Sequence, residues 1–543
     1  MSDNNVEALR WAFADSQPGA VSGLSESERD ALIISAIQVD GHWVILSRYG
    51  DDIWYLSGFT SNVQAGCKRL HFSTVPESFR AVMKAIIFRY LRRGRSGSVR
   101  PGGRTVRSSL DDTIPFLRHL ETLKIDHLGV VTPAVCSSYV KACREYRQTR
   151  QYKGMPLSPS GLNNRFTAVE FLHELSQYTD DPMFQHPWPG TSAMALAGLT
   201  GSGARHKYGS KTPLIPDDVF CTLFQQAYQQ VERGAQLLDL RDELEALACQ
   251  RKRQHIVTIM LAKNRHLDAH GWEGGLRGFN KALSDLRTAC YIVLASTSGC
   301  RNHELTNLQI GAHHRTEDDN GTVYHWMRSR SDKTYTGIHD WMIPEAAVRT
   351  LRLLERWAVP YQAIIAAEIV QRRRINPFDP QIAEAQKHRN AIFLSLSTRD
   401  GNQVRTLTNY ALGEHLQEFA KGCGLDWVLN SHQFRRKFAN YVAHSRFGDL
   451  RYLKEHFAHW TLNMSLGYAM DDTWGQHLDL ELFMDVQSEL EHIKLGVAEN
   501  WLGDEPLAGG YGRSIKQWQR DPKNLLIFKS HATMLKSIAE STA

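Results

Sequence analysis

Apolar side chains recur at helical spacing over most of the chain and alternate with a period of two in only a few stretches. In ESFRAVMKAIIFRYLRRGR, Phe79, Val82, Met83, Ile86, Ile87 and Tyr90 fall on one side of a predicted helix. DDTIPFLRHLETL predicts the next helix, opened by an acidic first turn. TPAVCSSYVKACREYRQTRQYKG and LSPSGLNNRFTAVEFLHELSQY predict two more; the second has Ser158 or Ser160 as its cap and Phe166, Val169, Phe171 and Leu172 turned inward. DDPMFQHPWPG breaks the pattern, and the Gly-, Pro- and base-rich stretch 200–218 marks a domain boundary. Upstream, SESERDALIISAIQVDGHWVILSRY mixes a capped helix with a short strand-like run.

Beyond residue 218, VFCTLFQQAYQQVERGAQLLDLRDELEALACQRKRQ reads as a long helix or helical pair, and FNKALSDLRTACYIVLASTSG as a helix ending near Gly299. TVYHWMRSR and HDWMIP alternate around the polar segment SDKTYTG, which predicts a hairpin or small sheet. Helices return in AAVRTLRLLERWAVPYQAIIAAEIVQRRR and LTNYALGEHLQEFAKGCGL, and again in the tail after Tyr468. The fold class expected is mainly α with a small antiparallel β-sheet.

Length and charge narrow this further. At roughly 150 residues per domain, 543 residues suggest three or four units. A net charge of +6 with 24 histidines suits a polyanionic partner. The eight cysteines form no CxxC pair, so neither a disulfide framework nor a structural zinc site is expected, and a reducing compartment is. No run of 18 apolar residues and no apolar signal core occur, which points away from a membrane. Between Arg89 and Arg107 lie seven arginines and no acid, in a Gly/Ser/Pro-rich setting read as flexible. Arg92, Arg93, Arg95, Arg100 and Arg104 are therefore candidates for following a phosphate backbone, with strong salt dependence. A basic helix face adds Lys141, Arg144, Arg147 and Arg150.

The chemistry concentrates in the second half. TSGCRNHELTNLQI places Arg301 and Glu304 at an element boundary, and SHQFRRKFANYVAHS sets His432 and Arg435 one helical turn apart. RYLKEHFAHWTLNMSLGY places His459 nine residues before Tyr468, and Lys333 falls in the turn of the predicted hairpin. Taken singly these are ordinary surface or core residues, but together they describe one reaction. Two guanidiniums clamp phosphate oxygens as charge develops, a tyrosine hydroxyl attacks phosphorus, a lysine protonates the leaving oxygen, and histidines move protons. No metal or other cofactor is needed. The absence of GxxxxGK[ST] disfavours an ATP-driven enzyme, and His313-His314, without spaced companions, are assigned to the surface.

This arrangement resembles the tyrosine recombinase (phage integrase) family. Arg301-Asn-His-Glu304-Leu matches its first block, His432-Gln-Phe-Arg435 its His-x-x-Arg block, and Phe457-Ala458-His459 stands where Leu-Gly-His is usual, with Tyr468 following. The resemblance implies Tyr468 as nucleophile, Arg301 and Arg435 as phosphate clamps, Lys333 as general acid, and His432 and His459 as assisting groups. Glu304 would support the arginine. His456 competes with His459, but only the latter keeps the nine-residue spacing.

The layout implied is an N-terminal extension with the basic segment (1–110), a helical core-binding domain (111–200), a catalytic domain (215–470) and a helical C-terminal extension (471–543). Also implied are duplex DNA as partner, a homotetramer on two paired sites, an accessory directionality factor and cytoplasmic nucleoid-associated location, while the length and the tail beyond Tyr468 favour origin in a mobile element. The segment 240–275 is insertion-like against the family pattern. Two other readings stand beside this one: a type IB topoisomerase-like enzyme, and an inactive site-specific DNA-binding protein.

Overall fold

Ser25 opens the first helix: its hydroxyl accepts from the Glu28 N–H, and the Glu28 carboxylate accepts from the Ser25 N–H. The computed structural model describes residues 16–95, 100–149, 152–199, 212–331, 337–397, 401–444 and 456–457, with short pieces between 492 and 535. That helix, α1 (Glu26–Ala31), leads into an antiparallel hairpin of β1 (Ile33–Val39) and β2 (His42–Arg48). Asp40 and Gly41 both have positive φ, as a two-residue turn matched to strand twist requires. A second small pair joins β3 (Ile53–Tyr55) to β4 (Arg69–His71).

Helices complete the amino-terminal half: α2 (Arg80–Arg93), α3 (Gly103–Thr122), α4 (Pro133–Glu145), α5 (Pro159–Ser176) and the single turn α6 (Ala193–Leu196). Thr132, Ser158 and Ser192 cap the last three, and proline takes the first position of α4 and α5. α3 begins well before the acidic turn expected to start it, so Arg104 and Arg107 ride on a helix and not on a flexible strip. One apolar cluster runs from Val21 to Ala197, enclosing Trp54, Phe72, Phe79, Phe88, Phe116 and Phe166. It does not divide near residue 110.

The second half is built on α9 (Gly275–Ser298), whose stretch from Leu286 to Ala295 is buried all round. Before it come α7 (Asp217–Gln250), a single 34-residue helix, and α8 (Ile256–Ala269). After it come α10 (Asn302–Thr306) and a three-stranded antiparallel sheet of β5 (His313–Glu317), β6 (Val323–Ser331) and β7 (Gly337–Met342). α11 (Glu345–Ile375), α12 (Pro380–His388), the pair β8 (Leu394–Ser397) and β9 (Gln403–Thr406), α13 (Asn409–Gly422) and α14 (Ser431–His444) follow. α7, α8, α11, α13 and α14 all pack on α9. The fold is mainly α with small antiparallel sheets, as expected. β5 was not foreseen, because HHRTE shows no apolar alternation. In the tail, Ala498 and Met534 share a small apolar cluster with Leu495, Trp501, Leu502 and Leu535. Among the described residues no helix is long and apolar enough to cross a membrane.

The halves are clasped by polar contacts around one apolar plug. Val39, at the hairpin tip, is buried in the second core. Beside it the Asp40 carboxylate accepts two bonds from Arg373 (2.8 and 2.7 Å) and one from Gln386 (3.0 Å). Lys68 pairs with Glu384 of α12. Burial alone would raise the Glu384 pKa, but the hydrogen bond from His388 and the ammoniums of Lys387 and Lys68 hold it far below the usual carboxylate range.

α7 packs tightly against α9 and α11 at Gly234, where a Cβ would collide with the Leu353 and Leu286 side chains. Gly234→Val is expected to lower stability by about 1–3 kcal/mol through overpacking, seen as a lower urea midpoint at unchanged m-value.

Candidate active site

The site starts where α9 stops. Gly299 takes a left-handed φ of 62°, and a Cβ there would lie 2.6 Å from Phe438 and 2.7 Å from Phe457, so both conformation and space call for glycine. The chain then extends through Cys300 to Arg301, which caps α10. The Arg301 N–H donates to Glu304 Oε2 (2.6 Å) and its guanidinium Nη1 donates to Oε1 (2.8 Å). Arg301 is 5% exposed and Glu304 1%.

α14 supplies the second guanidinium. Asn430 Oδ1 accepts the His432 N–H (3.1 Å) at the helix start, and one turn on Arg435 is fully buried. Arg435 Nη1 donates to the Gly299 carbonyl (2.9 Å) and lies 4.0 Å from Glu304 Oε2; Nη2 donates to the Phe457 carbonyl (3.3 Å). The Phe457 ring covers the guanidinium, with its centroid 3.6 Å from Cζ. The sheet closes the third side: the Ser331 hydroxyl donates to Glu304 Oε1 (2.7 Å), and that of Ser329 donates to the Glu304 carbonyl (2.5 Å).

One carboxylate thus faces two guanidiniums. Burial pushes the Glu304 pKa up, but the charges of Arg435 and Arg301 outweigh it and hold the acid at about 2. Glu304 sets one negative charge between these two guanidiniums. An anion with oxygens at guanidinium spacing complements such a site.

Of the residues singled out from the sequence, Arg301 and Arg435 are brought together. His432 shares α14 with Arg435 but is exposed, so the shared face anticipated for the pair is not a shared burial. Lys333, His459, Tyr468 and Arg150 lie outside the described residues, although Ser331 ends β6 two positions before Lys333. His456 serves the structure: its Nε2–H donates to the Ser298 carbonyl (2.7 Å), its ring stacks on Phe438, and burial pushes its pKa down to about 4. His313 is half-buried in β5 with Nε2 3.0 Å from His325 Nδ1, not simply a surface residue.

The basic candidates divide. Arg93, Arg104, Lys141, Arg144 and Arg147 are exposed, and Arg100 is half-buried. Arg92 is not on the surface: it is 6% exposed, bonded to the Ile33 carbonyl, and desolvation lowers its pKa to about 10. Arg95 pairs with the buried Glu174 at 2.7 Å. These two side chains brace α2 and the segment after it against β1 and α5.

Ser329 and Ser331 were missed in the sequence. Their signal was present: with Met327 they occupy the inward-facing alternate positions of β6, where a polar side chain needs a buried partner. The amino-terminal half also reaches this site. Asn409 Oδ1 accepts from Asn62 (2.9 Å) and from Asn302, the neighbour of Arg301.

No family model matches the chain, and no curated protein does. Among solved structures the chain is similar to the XerH site-specific recombinase bound to difH substrate in a pre-cleavage complex. That match has 11% identity over 74% of this chain and 83% of that one, with a TM-score of 0.38. It is also similar to the XerA recombinase (13%, 71% and 92%, TM-score 0.25). A third likeness is to the Tn1549 transposon integrase in complex with transposon right end DNA (13%, 69% and 90%, TM-score 0.31). At these scores the likenesses add no weight to any residue's role.

Two outcomes follow from the site. Glu304→Gln removes the carboxylate that both buried guanidiniums face and is expected to cost about 3–5 kcal/mol, whereas Ser331→Ala, losing one charged hydrogen bond, costs about 1.5–3 kcal/mol in urea unfolding. His456 remains neutral in the fold down to about pH 4, while the unfolded chain takes up its proton near 6.5. More protons are bound by the unfolded state in that window, so stability falls as pH drops through it. The slope of stability against pH between those values is expected to flatten in His456→Phe.

Proposed function

We propose that the chain is a tyrosine-type site-specific DNA recombinase that cuts and rejoins duplex DNA. The observation that carries this reading is the pair of buried guanidiniums, Arg301 and Arg435, set around one carboxylate at the start of two different helices. The spacing of the remaining motif residues supplies the rest of the reaction. Two cations balanced by one acid suit a phosphodiester whose charge grows in the transition state.

In this reading Tyr468 Oη attacks phosphorus, the bond to the 5′ oxygen breaks, and a 3′-phosphotyrosyl link forms. Lys333 donates the proton that the departing 5′ oxygen takes up, and His432 and His459 relay protons and bond phosphate oxygens. The freed 5′ hydroxyl of a partner strand then attacks the phosphotyrosyl bond, restoring the tyrosine. Bond energy is conserved in the covalent link, so no nucleotide triphosphate enters. The exposed Arg104, Lys141, Arg144 and Arg147 would contact the DNA backbone. Work on two paired sites as a tetramer, and origin in a mobile element, belong to the same proposal.

For Arg435 to meet a phosphate, the Phe457 ring and carbonyl must move from its guanidinium.

The test is recovery and sequencing of DNA covalently bound to the protein in expressing cells, for the wild type and for Tyr468→Phe. Adducts at defined sites are expected in the wild type and none in the variant; adducts persisting in Tyr468→Phe would remove the nucleophile assignment. Supercoil relaxation without recombinant products would favour a type IB topoisomerase, and specific binding without any adduct a non-catalytic DNA-binding protein. Arg301→Lys is expected to slow adduct formation by roughly 10²–10³-fold, as loss of a preorganised donor does.

A further inference from the structure

Apart from the arginine pair, three side chains converge between α7 and α8. His266 and His270 stand one turn apart at the end of α8, with ring centroids 4.3 Å apart. Glu243 reaches them from α7: its Oε2 is 2.8 Å from His266 Nε2 and 3.6 Å from His270 Nε2. One ligand atom from each residue lies within 4.8 Å of the others.

The backbone contact of His270 orients its ring toward the other two. Its Nδ1 lies 2.8 Å from the His266 carbonyl oxygen, an acceptor, so Nδ1 carries the proton. In the neutral ring Nε2 then presents a lone pair toward the Glu243 carboxylate. Two acceptors facing each other are held together either by a cation between them or by a proton on Nε2. The backbone carbonyl bond is also the outer-shell contact that orients metal-ligating imidazoles.

We propose that Glu243, His266 and His270 form a binding site for a divalent zinc-class cation that clips α8 to α7. Two imidazole nitrogens and one carboxylate oxygen suit zinc, with water completing the coordination of a site this exposed. The clip answers a weakness in the packing. Leu267 is the single buried residue of α8, while Ile256, Val257, Met260 and Leu261 are all about half or more exposed. A helix with so little apolar hold is anchored by a cross-link near its carboxyl end. The cysteine count gave no hint of such a site, because its ligands are histidines spaced i, i+4 and an acid on the preceding helix.

The experiment compares the purified full-length protein with a His266→Ala/His270→Ala variant, both stripped with chelator, dialysed against ZnCl2 and analysed for bound metal. The variant is expected to hold one tightly bound zinc fewer per chain, with an unchanged far-UV circular dichroism spectrum. In the wild type alone, zinc is expected to slow amide hydrogen exchange across 256–269. Cobalt substituted for zinc is expected to give a visible ligand-field band without thiolate charge transfer, lost in the variant. Equal zinc content in the two proteins would overturn the proposal, since other histidines would then be the ligands. So would unaltered exchange in 256–269 at saturating zinc, which would leave an imidazolium–carboxylate pair.

Discussion

One buried carboxylate sets the terms for the candidate site. Glu304 lies where its oxygens satisfy the Arg301 backbone and guanidinium, face Arg435 and accept from Ser331. Taking two guanidiniums out of water is costly, and only an ionised acid with its remaining lone pairs filled makes it tolerable. The depressed pKa of Glu304 is the signature of that arrangement. The α9–α10 junction, the start of α14 and the inner edge of β6 meet at this carboxylate, so a shift in any of them is felt by the other two.

The surrounding architecture holds that meeting point still. α9 is enclosed by five other helices, and its abrupt end at Gly299 lets the Phe438 and Phe457 rings approach the backbone. Arg435 spans the gap, bonded to Gly299 on one side and Phe457 on the other. The amino-terminal half leans on the same region through Asn62 and Asn409, while the β1–β2 tip plugs the far side with Val39 and Asp40. Exposed pairs such as Asp40–Arg373 contribute little each to stability; the apolar plug beneath them gives the contact its hold.

The sequence and the structure agree best where periodicity is strong. The helices of α2, α5, α9, α11 and α13 were legible because their apolar positions recur over several turns, and the β6–β7 hairpin because its residues alternate. The β1–β2 turn has a local cause in Asp40-Gly41, both at positive φ. β5 and the β8–β9 pair were not legible, since short polar strands take their conformation from the neighbour they pair with.

What the sequence by itself determined was the mainly helical class with small sheets, a cap at Ser158 or Ser160 of which the structure uses Ser158, and the residue types from which a phosphate-handling site can be assembled. These follow from local causes: side-chain period, capping chemistry and charge. Only the tertiary structure decided that Arg301 and Arg435 share Glu304, that Ser331 completes the acid's bonding, and that Arg92 is buried and Arg95 paired with Glu174 while Arg104 and Arg144 are exposed. Spacing along a chain fixes which residues can share a helix face. Whether a charge ends in water or beside a buried partner depends on which elements pack together, and that is set by contacts between residues far apart in sequence.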